Sequence, residues 1–180
     1  RNQIFCVEIV YSMVIDDTLL PDNGRYMSID LGLDNLATVV TNTGLQPIIV
    51  NGKGLKSTNQ YYNKKKAHYQ SVAKQMNDKN YTNRLYQLTR KRHFKIEDAL
   101  HKISRFIVDT AISNEITTIV IGNNQGWKQS ISLGRKTNQS FVTIPHQKLI
   151  EKICYKAKLH GIRVITTEES YTSGTSFLDG

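Results

Sequence analysis

A mixed α/β fold is predicted by three features of this 180-residue chain. Three short β-rich runs follow one another at hairpin spacing near the start. Two further apolar, β-branched runs come later, each preceded by a helical pattern. Between the two sets lies a long polar stretch with helical periodicity, and it carries the whole positive excess. Strands joined first by hairpins and later through helices give a mixed sheet with helices on its faces.

The first hairpin is written in Met27-Ser28-Ile29-Asp30-Leu31-Gly32-Leu33-Asp34-Asn35-Leu36-Ala37-Thr38-Val39-Val40. An apolar run delivers one carboxylate, Asp30, and turns at Gly32. A returning β-rich run over 36–41 stops at Asn42-Thr43-Gly44. Pro47-Ile48-Ile49-Val50 supplies the third strand, closed by Asn51-Gly52-Lys53-Gly54. Upstream, residues 2–13 form another β-rich run. The polar stretch through Asp16-Asp17 and Pro21-Asp22-Asn23-Gly24 reads as a linker.

Tyr61-Tyr62-Asn63-Lys64-Lys65-Lys66 opens a polar helical segment that breaks at Asn77-Asp78-Lys79-Asn80. A second helix is predicted over 82–113, where Leu85, Leu88, Ile96, Leu100, Ile103, Ile107 and Ala111 recur mostly at three- and four-residue steps. Its first half is basic and its second half is the half to be buried, so the pair reads as a helical hairpin rooted in the core. Thr117-Thr118-Ile119-Val120-Ile121 is a strand covered on both faces, ended by Gly122-Asn123-Asn124. The last helix is expected to be capped by Thr143, to open at Ile144-Pro145 and to close at Gly161. Within it Ile150, Ile153, Cys154 and Ala157 face the core, while Lys148, Lys152 and Lys156 form a basic stripe, by default a solvated face. Residues 162–166 give the final strand.

Location makes the net charge of +9 informative. Residues 53–105 hold 14 Lys and Arg against 3 Asp and Glu, a balance of +11, and the rest of the chain is at −2. A basic arm on a neutral body reads as a polyanion-binding element. Its candidate contacts are Lys64, Lys65, Lys66, Arg84, Arg90, Lys91, Arg92 and Lys95, joined by Arg135 and Lys136 in a polar loop. Tyr61, Tyr62, Tyr69, Tyr81 and Tyr86 lie among these cations, available either to stack on bases or to pack the hairpin. No segment reaches the ~18 apolar residues of a membrane span, and the start, Arg1-Asn2-Gln3, is not a signal peptide. No membrane partner is therefore expected, and because Cys6 and Cys154 stand far apart and form no metal pair, a reducing cytoplasm is expected. The absent initiator Met suits a fragment.

A carboxylate on a rigid central strand suits metal-dependent phosphoryl transfer, because Mg²⁺ takes hard oxygen ligands in fixed geometry. The same Asp could equally just open a turn. Three ordered motifs resolve the choice by resemblance. The segment Ile29-Asp30-Leu31-Gly32-Leu33-Asp34-Asn35-Leu36-Ala37 resembles the first catalytic motif of the RuvC-like nuclease domain in the TnpB/OrfB proteins of insertion sequences, relatives of type V CRISPR effectors. Tyr171-Thr172-Ser173-Gly174-Thr175 resembles that family's tyrosine-threonine-serine box, and Asn138-Gln139-Ser140-Phe141 with Ile144-Pro145 is similar in order and spacing.

The resemblance covers roughly residues 25–180. It implies an RNase H-like (RuvC-like) mixed sheet with a basic helical-hairpin insertion at about 55–113, preceded at 1–24 by the last strand and linker of a β-barrel domain. It further implies a transposon-associated, RNA-guided DNA endonuclease that cleaves phosphodiesters with Mg²⁺, with guide RNA and target DNA as partners. Asp30 matches the family's first acid. Gly122 stands where the family has its second, a Glu, and the third would lie beyond Gly180, so this chain alone holds no complete family site. Glu168 and Glu169 end the strand expected beside Gly122 and are the candidates to replace the missing acid as catalytic and metal-binding residues. Ser176 and Asp179 occupy the places of the family's first zinc-knuckle cysteines, so no zinc is expected here. Gly122 also leaves room for a nuclease-dead, RNA-guided DNA-binding repressor, and the fold alone permits a strand-transfer transposase. His101, His146 and His160 have no convergent partners visible in sequence and read as structural.

Overall fold

The computed structural model describes residues 7–12, 18–32, 34–77, 82–122 and 144–167. Among these described residues eight elements follow in order: β1 Tyr26–Asp30, β2 Asn35–Thr41, β3 Ile48–Asn51, α1 Lys53–Asn77, α2 Asn83–Ser113, β4 Thr118–Gly122, α3 His146–Lys158 and β5 Arg163–Thr167. They build one five-stranded sheet in the order β3-β2-β1-β4-β5. The hairpin strands β1, β2 and β3 pair antiparallel, whereas β4 joins β1 and β5 joins β4 in parallel. Parallel neighbours need a crossover, and the α1–α2 hairpin and α3 supply the two crossovers.

Alternation along β1 explains which face is covered. Met27 and Ile29 are buried while Tyr26, Ser28 and Asp30 are exposed. Their partners Ile119 and Ile121 on β4 and Val39 on β2 share the buried face. Against it pack Leu100, Ile107, Val108 and Ala111 of α2 and Leu149, Ile150, Ile153 and Ala157 of α3. The described helices therefore gather on one face of the sheet, where the sequence suggested both. On the other face Tyr26, Val40, Ile49 and Ile165 stay exposed. Strand β4, flanked by β1 and β5, is nonetheless enclosed as expected, with only Val120 partly accessible.

Some boundaries differ from the sequence reading. Helix α1 begins at Lys53, eight residues before the tyrosine pair, because the Asn51 side chain accepts from the Lys53 amide and holds the first turn. Helix α2 starts as expected, with Thr82 as N-cap accepting from the Leu85 amide at 3.3 Å. Helix α3 has Pro145 at its N-cap position and no side-chain cap; Thr143 lies outside the described residues. Gly161 takes a positive φ of 67° just past its end, as a helix-stopping glycine does. Residues 7–12 form no strand, and Val7, Ile9, Val10 and Tyr11 are largely exposed, because a strand needs a partner for its backbone.

The basic stripe of α3 is not a solvated face. Lys148 and Lys152 both reach Glu97 of α2, at 2.8 and 2.9 Å. Lys156 is only 7% exposed, and its ammonium donates to the His101 carbonyl and the Ser104 hydroxyl, each at 2.7 Å. The contacts advance together along both helices, so α2 and α3 run side by side in the same direction. Burial holds the Lys156 pKa below its ordinary value, with the nearby charges of Arg105 and Lys152 acting in the same sense.

The two lysines hold the Glu97 carboxyl down at about 2 from 4.5. A depressed carboxylate pKa contributes stability that is present above the unfolded value and is lost as pH falls through the folded one. Glu97→Gln should therefore lower thermal stability at neutral pH by an amount on the order of 1 kcal/mol, since the pair is partly solvent-screened. It should also flatten the fall in stability between about pH 4.5 and pH 2, read as melting temperature against pH.

Candidate active site and basic groove

Asp30 is the last residue of β1, and its carboxylate lies on the exposed face of the sheet. On one side it pairs with Thr38 of β2. On the other, Ile29 pairs with Ile121, so the next rung of the parallel ladder brings Asp30 level with Gly122. Gly122 in turn pairs with Thr167, the last residue of β5. Residues on one rung of a ladder project to the same face. The row that crosses the ends of the parallel strands is thus Thr38, Asp30, Gly122, Thr167, with a single carboxylate and a bare backbone beside it.

The turn after Asp30 is held tightly. Leu31 is buried, and the Gly32 amide donates to the Leu36 carbonyl at 3.3 Å. A Cβ at Gly32 would lie 2.7 Å from the Asn35 carbonyl oxygen, so only glycine fits this approach. From the other side the His146 Nε2–H donates to the Gly32 carbonyl at 2.9 Å. That bond ties the first residue of α3 to the turn that carries Asp30. It corrects the reading of His146 as a residue without convergent partners. His101 also has one, the Lys152 ammonium at 3.1 Å. Asp34, beyond the turn, is occupied elsewhere: Lys56 of α1 lies 2.6 Å from its carboxylate and lowers its pKa.

Among the described residues no group of three or more His, Cys, Asp or Glu comes together around a common point. Asp30 is one hard-oxygen ligand of the type Mg²⁺ takes, and its row offers no second acid. Glu168 and Glu169, which follow Thr167 directly, lie outside the described residues, as do Arg135 and Lys136.

The remaining basic residues lie on the α1–α2 hairpin. The core takes Leu55 from α1 and Ile96 onward from α2; Ala73 and Leu85 are buried outside that cluster, so the far half of the hairpin packs on itself. Its cross-links are cation–ring and hydrogen-bond pairs. The Arg84 guanidinium lies 4.7 Å from the Tyr69 ring centre, and that of Arg92 lies 5.1 Å from Tyr62. Arg92 also donates to Asn59 at 2.6 Å, and the Tyr62 hydroxyl meets Thr89 at 3.2 Å. A groove of about 650 Å³ runs between the helices, lined by Tyr61, Tyr62 and Tyr69 with Arg84, Lys91, Arg92 and Lys95. Lys64 is exposed on the same helix, and Lys65 and Lys66 approach Tyr61 and Tyr62 to 6.0 and 5.9 Å. Arg90 turns instead toward Phe94, 5.6 Å away, and one of its terminal nitrogens is buried without a hydrogen bond.

The cations of the arm therefore differ in what they hold. Arg92→Ala removes both a buried-side hydrogen bond to Asn59 and the cover of Tyr62, and should destabilise the protein by roughly 1–3 kcal/mol in urea unfolding. Lys91 is exposed, and Lys91→Ala should leave the unfolding midpoint in place.

Comparison with known proteins agrees with this geometry. Residues 7–128 match the profile of the OrfB_IS605 family, described as probable transposase. Two similar solved structures are complexes of Cas12f. One is a Cas12f1–sgRNA–target DNA complex, 19% identical over 87% of this chain and 39% of that chain, with a TM-score of 0.61. The other is a CRISPR-Cas12f ternary complex, 18% identical over 92% of this chain and 32% of that one, with a TM-score of 0.64. The chain thus spans only 32–39% of the length of these relatives. No curated protein matches it in sequence. At such identities the likeness establishes the fold, an RNase H-like sheet of the RuvC kind with the helical hairpin between its third and fourth strands. The family is established by the profile, which covers more than half of the residues: the chain belongs to the OrfB_IS605 family of probable transposases.

Proposed function

We propose that this chain is the RuvC-like portion of a transposon-associated, RNA-guided DNA endonuclease. The observation that carries the reading is Asp30, an exposed carboxylate fixed at the end of the central strand of a RuvC-like sheet. Guide RNA and target DNA are its partners on this reading, supported by the similar Cas12f1 structure solved with sgRNA and target DNA. In this division of labour base pairing reads sequence, and the protein holds backbone and shape.

Mg²⁺ would be held by Asp30 and by one of Glu168 and Glu169, with any third acid outside this chain. When bound it would supply Lewis-acid polarisation of a phosphate oxygen and an activated water. What the described residues contribute is position. The parallel ladder fixes the height of Asp30, Gly32 keeps the turn closed, and His146 anchors that turn to α3.

A second reading, a nuclease-dead RNA-guided DNA-binding repressor, is favoured by one observation. Gly122 sits in the Asp30 row where the family carries its Glu.

The test uses the full-length protein with its guide RNA. Asp30→Ala should abolish cleavage, a loss of at least about 10³-fold, while guide-directed binding stays within about twofold. Asp34→Ala should be much milder. Glu168→Gln and Glu169→Gln, made singly, identify the replacing acid by the same loss. A wild-type protein that binds its target and never cuts it, with any divalent metal, establishes the repressor instead.

A further inference from the structure

We propose that the groove between α1 and α2 is a binding site for unpaired nucleotides, whose bases stack on the tyrosines while their phosphates meet the cations at the rim. This deepens, and rests on, the reading of the hairpin as a nucleic-acid arm. It adds that the ligand there is single-stranded.

Four observations carry it. Among the described residues the groove is lined by three tyrosines and four cations and by no Asp or Glu, so no carboxylate of that lining repels a phosphate. Its volume of about 650 Å³ lies in the range that encloses a small organic ligand and could take about one or two nucleotides. The three rings are not equivalent. Tyr62 is tied down, with its hydroxyl on Thr89 and Arg92 and Lys66 against its ring. Tyr61, with the Lys65 ammonium 6.0 Å from its ring centre, is still 59% exposed, although ring burial is the usual reason to place a tyrosine on a helix. Finally, Arg84 lies over Tyr69 at 4.7 Å, a guanidinium–ring pair to which a base can be added as a third layer.

A duplex would use this surface poorly. Its bases are stacked on one another and offer only edges in the grooves, so a duplex would engage the cations and leave the rings unused. Unpaired bases expose their faces, and every base has one, which makes such stacking tolerant of sequence. RNA and DNA single strands share this chemistry, and the test separates them.

The full-length protein, stripped of nucleic acid, is titrated by fluorescence anisotropy with a uridine 12-mer, a thymidine 12-mer and a 12-base-pair DNA duplex. Tyr61→Leu should weaken single-strand binding about tenfold, within the range found for loss of one base–aromatic stack, and leave duplex binding within about twofold. Tyr61→Phe should bind as wild type, since the ring face is kept. Lys91→Ala should weaken all ligands and lower the slope of log K against log salt by roughly 0.7 for the single strands and 0.9 for the duplex. The tighter of the RNA and DNA single strands identifies the source.

A local readout is independent of any other binding region. A 5-iodouracil oligonucleotide, irradiated on the protein, should crosslink to the tryptic peptide 57–64, which contains Tyr61, or to Tyr69. Tyr61→Leu without effect, together with no crosslink at either tyrosine, overturns the groove. If Lys91→Ala still weakens binding in that case, the hairpin remains a nucleic-acid arm for duplex backbone. If Lys91→Ala is silent as well, the underlying reading falls too.

Discussion

The parallel pairing of β1 with β4, and of β4 with β5, is the constraint on which the rest of this structure depends. Parallel strands cannot be joined by tight turns, so each of these pairings requires a helical crossover, and the crossovers bring α2 and α3 onto the same sheet face. The burial of Met27, Ile29, Ile119 and Ile121 between sheet and helices fixes the register. Each contributes about 1.5–3 kcal/mol of transfer free energy, and a slip by one residue would expose all four. The same register places the C-terminal ends of three strands at one pole. Asp30, Gly122 and Thr167 meet there as a direct result of how the core is packed. In open α/β sheets that pole is where ligands bind.

Helix α2 does two jobs with one continuous rod of 31 residues, about 46 Å long. From Ile96 onward it is core, and its polar edge takes Lys148, Lys152 and Lys156 of α3 through Glu97, His101 and Ser104. Its first half leaves the core and, with α1, forms the basic arm. Because the rod is shared, the arm's orientation relative to Asp30 is set by the α2–α3 contact. The Lys156 ammonium, buried between a carbonyl and a hydroxyl, makes that contact specific in direction as well as adhesive, since any sliding of one helix would strand it.

Much of this was legible in the sequence. Strand alternation at Met27 and Ile29, the β-branched run through Ile119 and Ile121, and the two-halved pattern of α2 each rest on burial periodicity, which side-chain spacing encodes directly. Asp30 was found by the words around it. The lysine stripe of α3 was placed correctly on one face but assigned to solvent, because periodicity says which residues share a face and not what that face meets. A signal was available: Glu97, His101 and Ser104 repeat on α2 at steps that complement Lys148, Lys152 and Lys156. His146 could not have been found in this way. Its bond to the Gly32 carbonyl joins residues 114 positions apart, and a backbone acceptor leaves no trace in the sequence. The early start of α1 at Lys53 was missed because Gly52 and Gly54 read as turn, while the Asn51 side chain was already capping a helix.

The glycine at position 122 bears on what kind of metal site the proposed nuclease would have. Two acids on adjacent strands lie about 4.8 Å apart and repel each other until a cation is bound. Among the described residues the Asp30 row holds one, so no such repulsion arises within that row. The cost falls on affinity, because the row itself fixes one carboxylate, and on the proposed reading the second has to come from Glu168 or Glu169 beyond the end of β5. Mg²⁺ often binds with only one or two carboxylates, completing its shell with water and the phosphates of the substrate. On the proposed reading, then, metal and nucleic acid would be taken up together, and occupancy of the Asp30 pole would depend on whether the basic arm has already brought a phosphate backbone to it.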